Sequence, residues 1–262
     1  MMKKRILIAS LIILFSYASV FCLEEGWHER KSTHFLIYYK DAPDDFVEEV
    51  LDAAEDYYQK ITRELGFTRY KYWLWDDRAK IYIYEDADDY HSTTGKPKWA
   101  SGHAVYQFKT IFTYPLASGF FDTLLPHELG HIIFREFVGF KNSNVPLWLD
   151  EGVATYQEKS KRWGADKLVK KAIKAEKFIP LDELTKINNL IPLEKDKVDL
   201  FYNESVSVVY FLISKHGRYN FMTFCRALRD GKSLDRAIDY AYTRFNDLDD
   251  LNKVWYRYLT KR

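Results

Sequence analysis

The reading of this chain turns on two segments. One is Pro126-His127-Glu128-Leu129-Gly130-His131; the other is Pro146-Leu147-Trp148-Leu149-Asp150-Glu151-Gly152-Val153-Ala154-Thr155-Tyr156. On a helix, residues four apart share a face, so His127 and His131 can converge on one metal ion. Glu128, roughly 100° around the axis, then leans toward a metal-bound water. Zn²⁺ suits neutral imidazole ligands, and a catalytic site leaves one position open for a water whose pKa drops to about 7. Glu151, 20 residues after His131, would supply a third ligand and complete a His₂Glu set. Its neighbours are apolar, a setting in which a carboxylate needs a partner. The competing readings are ordinary: a buried amphipathic helix whose histidines find hydrogen bonds, and a solvated carboxylate on the next helix. Pro126 either kinks the first helix or marks its first turn, and Gly130 leaves room for close backbone approach.

Outward from this centre the periodicity changes once. Upstream, Phe35–Tyr39, Lys80–Tyr84, Ala104–Phe108 and Thr110–Tyr114 read as strands. A helix between the first two starts near Pro43, carries acids in its first turns and ends at Gly66. Asp86–Tyr90 reads as a turn or short helix. Downstream, the spacing predicts helices over Phe120–Val138, Leu147–Lys161, Asp166–Lys177, Phe201–His216, Tyr219–Asp230, Leu234–Tyr242 and Leu248–Thr260. Strands first and helices later is the α+β pattern. No flexible linker or repeat separates the parts, so the expected organisation is a leader over residues 1–23, an N-terminal α/β lobe over 24–140 and a helical lobe over 141–262. Lys167, Lys170, Lys171, Lys174 and Lys177 form a basic face opposite a stripe of Leu168, Val169, Ala172 and Ile173. A solvated face over a core stripe is the ordinary reading; a membrane-surface helix has the same pattern.

The two central segments resemble the gluzincin metallopeptidases, whose motif is His-Glu-x-x-His with a downstream Glu. The closest similarity is to the peptidase-MA-like branch, with its Pro-x-Trp-Leu-x-Glu-Gly segment. The specific match covers Pro126–Tyr156, and a weaker likeness runs from about Phe35 to the C-terminus. The resemblance implies a thermolysin-like zincin fold, with a mixed sheet in the first lobe and helices in the second. It also implies His127, His131 and Glu151 as zinc ligands and Glu128 as general base, then proton donor to the leaving amine. It further implies a Tyr or His from the helical lobe on the oxyanion, for which Tyr202 is the candidate; His103, on or beside a strand, is a weaker alternative, with a satisfied structural histidine its ordinary reading. The implied activity is peptide-bond hydrolysis by an endopeptidase, with a polypeptide substrate extended along Ala104–Phe108 or Thr110–Tyr114. Some relatives are set aside. Phe134 and Phe137 stand where a metzincin needs Gly and His, and the aminopeptidase Gly-x-Met-Glu-Asn strand is missing. Thermolysin-like enzymes place an Asp four residues after the Glu ligand; here that position is Thr155, while Asp150 precedes the ligand. The alternative class is a cell-surface binding or scaffold protein that retains a zincin-like zinc site, although a purely structural site needs no base such as Glu128.

Composition fits this frame. Hydrophobic residues are 47% and aromatics 17%, enough for a sizeable core, and 39 basic residues against 38 acidic leave +1, which argues against a nucleic-acid partner. Lys3, Lys4 and Arg5 precede an apolar run from Ile6 to Leu23, the pattern of an export signal. Cleavage after Ala18, retention as a tilted anchor and lipidation at Cys22 all remain open, with bulky Phe21 arguing against the last. A periplasmic, secreted or membrane-anchored protein is therefore expected. Removing residues 1–18 would leave 36 basic against 38 acidic residues. Cys225 is expected to be a buried, inert thiol, and His216 a helix C-terminal residue favoured by the dipole.

Overall fold

The computed structural model describes residues 26–67, 73–74 and 77–261, and the expected leader lies outside them. Alternation decides the sheet. Phe35, Ile37 and Tyr39 in β2 (Phe35–Tyr39) and Ala79, Ile81 and Ile83 in β3 (Ala79–Ile83) bury every second side chain. These strands pair in parallel, as a helical crossover between them requires. The crossover is α1 (Asp44–Leu65), which starts after Pro43, carries Asp44 and Asp45 in its first turn and stops at Gly66 with φ 81°. The sheet order is β1-β2-β3-β5-β4, with β5 (Thr110–Thr113) parallel to β3. β1 (His28–Lys31) and β4 (Gly102–Val105) flank it as antiparallel edges. Between β3 and β4 lies α2 (Ala87–Thr94), capped by the Asp86 carboxylate accepting from the Asp89 N–H at 2.8 Å.

The helical part comprises α3 (Leu125–Val138), α4 (Leu147–Gln157), α5 (Lys159–Lys174), α6 (Leu181–Lys186), α7 (Lys195–His216), α8 (Arg218–Arg229), α9 (Leu234–Ala241) and α10 (Leu248–Thr260). The architecture is thus α+β, as the change of periodicity implies: a five-stranded mixed sheet followed by a helical C-terminal region. Trp148, Phe134, Phe137, Phe201, Phe224 and Trp255 fill the core between these helices. Cys225 is a buried free thiol whose pKa burial pushes up, as expected of an inert one. His216 does end α7, but it packs against Phe211 and Phe245 and burial lowers its pKa, so packing decides its state there.

Several boundaries differ from expectation for physical reasons. Ala104–Phe108 is no single strand: β4 ends at Val105, Tyr106–Phe108 form a 3₁₀ turn, and Lys109 at φ 50° completes the hairpin into β5. Thr110–Tyr114 cannot be a free edge, because β5 is paired on both sides. The helix expected over Leu147–Lys161 breaks at Glu158, whose backbone is extended at ψ 101°. α7 begins at Lys195 rather than Phe201, since its polar first turns carry no apolar periodicity. α6 is too short to have a legible period, and β1 exposes most of its side chains.

Two glycines set the spacing of α3, α4 and α7. A Cβ on Gly130 would lie 2.8 Å from the Ala154 Cα, and one on Gly152 would lie 2.5 Å from the Ser205 carbonyl oxygen. Helix α4 is therefore clasped between α3 and α7 at distances no larger residue permits. Gly152→Ala should destabilise the protein by about 1–3 kcal/mol through overpacking. Gly164→Ala on α5, where an added Cβ meets nothing within 4 Å, should instead stabilise it by roughly 0.5–1 kcal/mol. Equilibrium urea unfolding of both variants tests this; a stabilised Gly152→Ala would refute the clasp.

Glu204 on α7 is fully buried; its Oε1 accepts from the Ile179 N–H at 3.0 Å, and its Oε2 has no partner. Burial, only partly offset by that N–H, raises its pKa to about 8. The native state then holds a proton that the unfolded chain releases near its ordinary value of 4.5. The group's stabilising contribution is complete below that value and is lost as pH rises through about 8. Relative to wild type, Glu204→Gln should gain stability from about pH 4.5 to about pH 8 and no further above it. Denaturation across that range checks the slope difference.

Candidate metal centre

A π-helical turn, Phe120–Leu124, leads into α3, and Pro126 occupies the second helical position. Pro126 thus falls just behind the π turn, inside a continuous helical run, rather than at a free helix start. One turn of α3 aligns His127 and His131, and the Gly130–Ala154 approach brings Glu151 of α4 to them. His127 Nε2 lies 3.2 Å from His131 Nε2 and 3.7 Å from Glu151 Oε2, and the third edge, His131 Nε2 to Glu151 Oε2, is 3.5 Å. Tetrahedral zinc with bonds of about 2.0–2.2 Å has ligand–ligand edges of about 3.4 Å. Glu151 Oε2 is buried without a hydrogen-bond partner, as is Glu128 Oε2. Two imidazole nitrogens facing each other beside an unpartnered carboxylate oxygen is a donor set that fits a divalent ion.

The remaining imidazole nitrogens are held from behind. His131 Nδ1 bonds Asp150 Oδ1 at 2.9 Å, and Asp150 Oδ2 accepts from Arg135 Nε at 2.7 Å. His127 Nδ1 bonds Glu158 Oε1 at 2.9 Å, and Glu158 pairs with Lys161 at 2.9 Å. Carboxylates on both Nδ1 atoms select the tautomer whose Nε2 lone pair faces the centre. Burial opposes a charged His131, but the charge and hydrogen bond of Asp150, then Glu151, raise its pKa to about 10. Burial would raise Asp150, yet His131 and Arg135 hold it below the ordinary carboxylate range. A metal ion held at His131 Nε2 would take the place of a proton there.

Two phenols close the site. Tyr106, from the 3₁₀ turn after β4, lays its ring 4.8 Å from that of His131. Burial and the Glu128, Glu151 and Asp150 carboxylates, with a hydrogen-bonding contact to Glu128, raise its pKa and keep it neutral. Tyr202 on α7 is raised likewise, by burial first and then by the charge and hydrogen bond of Glu151. The structure therefore brings together His127, Glu128, His131, Glu151 and Tyr202. It places His103 elsewhere: that ring bonds the Tyr90 hydroxyl at 2.9 Å and stacks on Phe112, with its pKa lowered to about 4 by burial, then by Lys96. Thr155 is buried with an unpartnered hydroxyl, and Asp150 takes the carboxylate–His contact.

Glu158, Arg135 and Tyr106 were not foreseen. Glu158 lies seven residues after Glu151, on the same face of what reads as one helix, and that spacing was its available signal. Its side chain reaches His127 because the helix breaks there. Nothing local in sequence announces Tyr106, which arrives over the site through the β4–β5 hairpin.

The family model for the Peptidase MA superfamily matches residues 75–261, from the segment before β3 through α10. The chain belongs to the Peptidase MA superfamily. No curated protein matches it. Membership in this zincin-like peptidase superfamily supports a peptidase-like function, and the His127, His131 and Glu151 group is where a Peptidase MA protein of this shape could hold its metal.

Glu158→Gln should weaken metal binding about 10–100-fold, since the amide no longer fixes the His127 ring as an anionic partner does. Competition with a chromophoric zinc chelator measures this, and an unchanged affinity would remove Glu158 from the site.

Proposed function

We propose that the protein is an exported, zinc-dependent endopeptidase of gluzincin type. The observation that carries the reading is the triangle of His127, His131 and Glu151, with edges of 3.2–3.7 Å, beside the unpartnered carboxylate oxygen of Glu128. A zinc ion held by those three residues would polarise a water at neutral pH. Glu128 would accept a proton from the attacking water and later deliver it to the departing amine nitrogen. Tyr202, kept protonated by burial and by Glu151, donates a hydrogen bond to the oxyanion of the tetrahedral intermediate. Tyr106, kept neutral by burial and by the Glu128 and Glu151 charges, would remain a hydrogen-bond donor beside the same carboxylates. Asp150 and Glu158 preserve the imidazole tautomers, and Arg135 fixes Asp150.

The substrate in this reading is an extended polypeptide. β4 is the outer strand nearest Tyr106, and its unpaired edge offers the main-chain groups for strand addition. Export and the role of residues 1–23 as a signal or anchor rest on the basic start and apolar run alone. Among the described residues, no helix is long and apolar enough to cross a membrane.

Purified protein should bind one equivalent of zinc and cleave a mixed peptide pool. Glu128→Gln should keep the zinc and lose about 10²–10⁴-fold in rate. Tyr202→Phe should lose roughly 10²–10³-fold in kcat with little change in KM. His127→Ala should lose both metal and hydrolysis. Zinc bound at one equivalent with no Glu128-dependent cleavage would support the binding or scaffold protein instead.

A further inference from the structure

One segment of the helical region stands out as basic in this nearly neutral chain. Residues 159–177, comprising α5 and its exit, hold eight basic side chains and two acidic ones, against +1 for the whole sequence. Of the acids, Asp166 is turned inward to the Ser207 hydroxyl at 2.7 Å and the Tyr258 hydroxyl at 2.6 Å. Lys167, Lys170, Lys171, Lys174 and Lys177 are all exposed, and none makes an ion pair among the described residues. Ala165 and Val169 seat the opposite side of the helix in the core.

The basic face also carries large apolar side chains. Leu168, expected on the core stripe, is 47% exposed, and Trp163 is 67% exposed. Trp163 is braced edge-on by Tyr210, with ring centroids 5.8 Å apart, and the Arg162 guanidinium lies 5.3 Å from the indole centroid, yet 67% of the residue stays exposed. At 100° per residue, Trp163 lies between Lys170 and Lys167 on the exposed side, and Lys174 follows it three turns on. An indole among unpaired lysines on a rigid helix suits a boundary where phosphates meet acyl chains: the ammonium groups take the anionic headgroups and the indole enters the interface. We propose that the exposed face of α5, with Trp163, Lys167, Lys170, Lys171 and Lys174, docks the protein on an anionic lipid surface. Because α5 follows directly from Glu158, and Lys161 at its start pairs with that residue, docking also sets the metal centre at a defined height above the bilayer.

The test uses full-length protein and sedimentation with vesicles of phosphatidylcholine alone or of equal parts phosphatidylcholine and phosphatidylglycerol. Wild type is compared with a variant carrying Lys167→Gln, Lys170→Gln, Lys171→Gln and Lys174→Gln, and with the corresponding Lys→Arg variant. All three share the same N-terminal segment, so any difference between them belongs to α5. Wild type and the Arg variant should bind the anionic vesicles at least about tenfold more tightly than the Gln variant, and ~1 M salt should abolish the gap. Brominated lipid should quench more fluorescence in wild type than in Trp163→Phe. Equal binding of wild type and the Gln variant would overturn the proposal. So would binding of a soluble Glu-rich peptide by wild type alone with no difference on vesicles, which would make the face a polypeptide dock. Neither readout depends on hydrolysis, so the docking surface can fail while the peptidase reading stands, and the reverse.

Discussion

Everything at the centre depends on how closely two helix backbones can approach. The two imidazoles sit on one turn of α3, and the carboxylate that completes their triangle sits on α4. These are joined through a crossing where Gly130 leaves no room for a Cβ against Ala154. A second contact of the same kind, Gly152 against the Ser205 carbonyl, presses α4 onto α7 and carries Tyr202 to the same place. Donor atoms 3.2–3.7 Å apart tolerate little slack, because a shift of about 1 Å removes a ligand from tetrahedral reach. The glycines of the two motifs therefore act on the chemistry through distance.

The charge around that triangle is layered. Buried Asp150 and Glu158 face the backs of the imidazoles, and Arg135 and Lys161 balance them in turn. Alternation of sign allows several ionised groups to be buried in one region, since each is paired and hydrogen bonded. In the innermost layer Glu128 and Glu151 each hold a buried oxygen without a hydrogen-bond partner, and among the described residues neither pairs with a Lys or Arg. An ion at the triangle would supply their positive counterpart.

Helix α5 illustrates how one break in a chain can serve two surfaces. The extended backbone of Glu158 ends α4 and turns its carboxylate inward to His127. The new helix that begins one residue later points its lysines and Trp163 outward.

The α+β class, the strand–helix–strand order of β2, α1 and β3, and the shared face of His127 and His131 were legible because each rests on a local period: two in strands, 3.6 in helices. Tyr202 was reached only by resemblance to a family, and its place beside Glu151 came from the packing of α7. What tertiary structure alone decided are the groups whose positions depend on distant partners. Glu158 turns inward because His127, 31 residues away, offers a nitrogen to its carboxylate. Tyr106 covers His131 because the β4–β5 hairpin folds over α3. Thr155 cedes the carboxylate role to Asp150 because the Gly130 crossing fixes which turn of α4 faces the imidazoles. Periodicity specifies which face of an element is buried, but the rotation and spacing of one helix against another are set by the atoms that meet at the crossing.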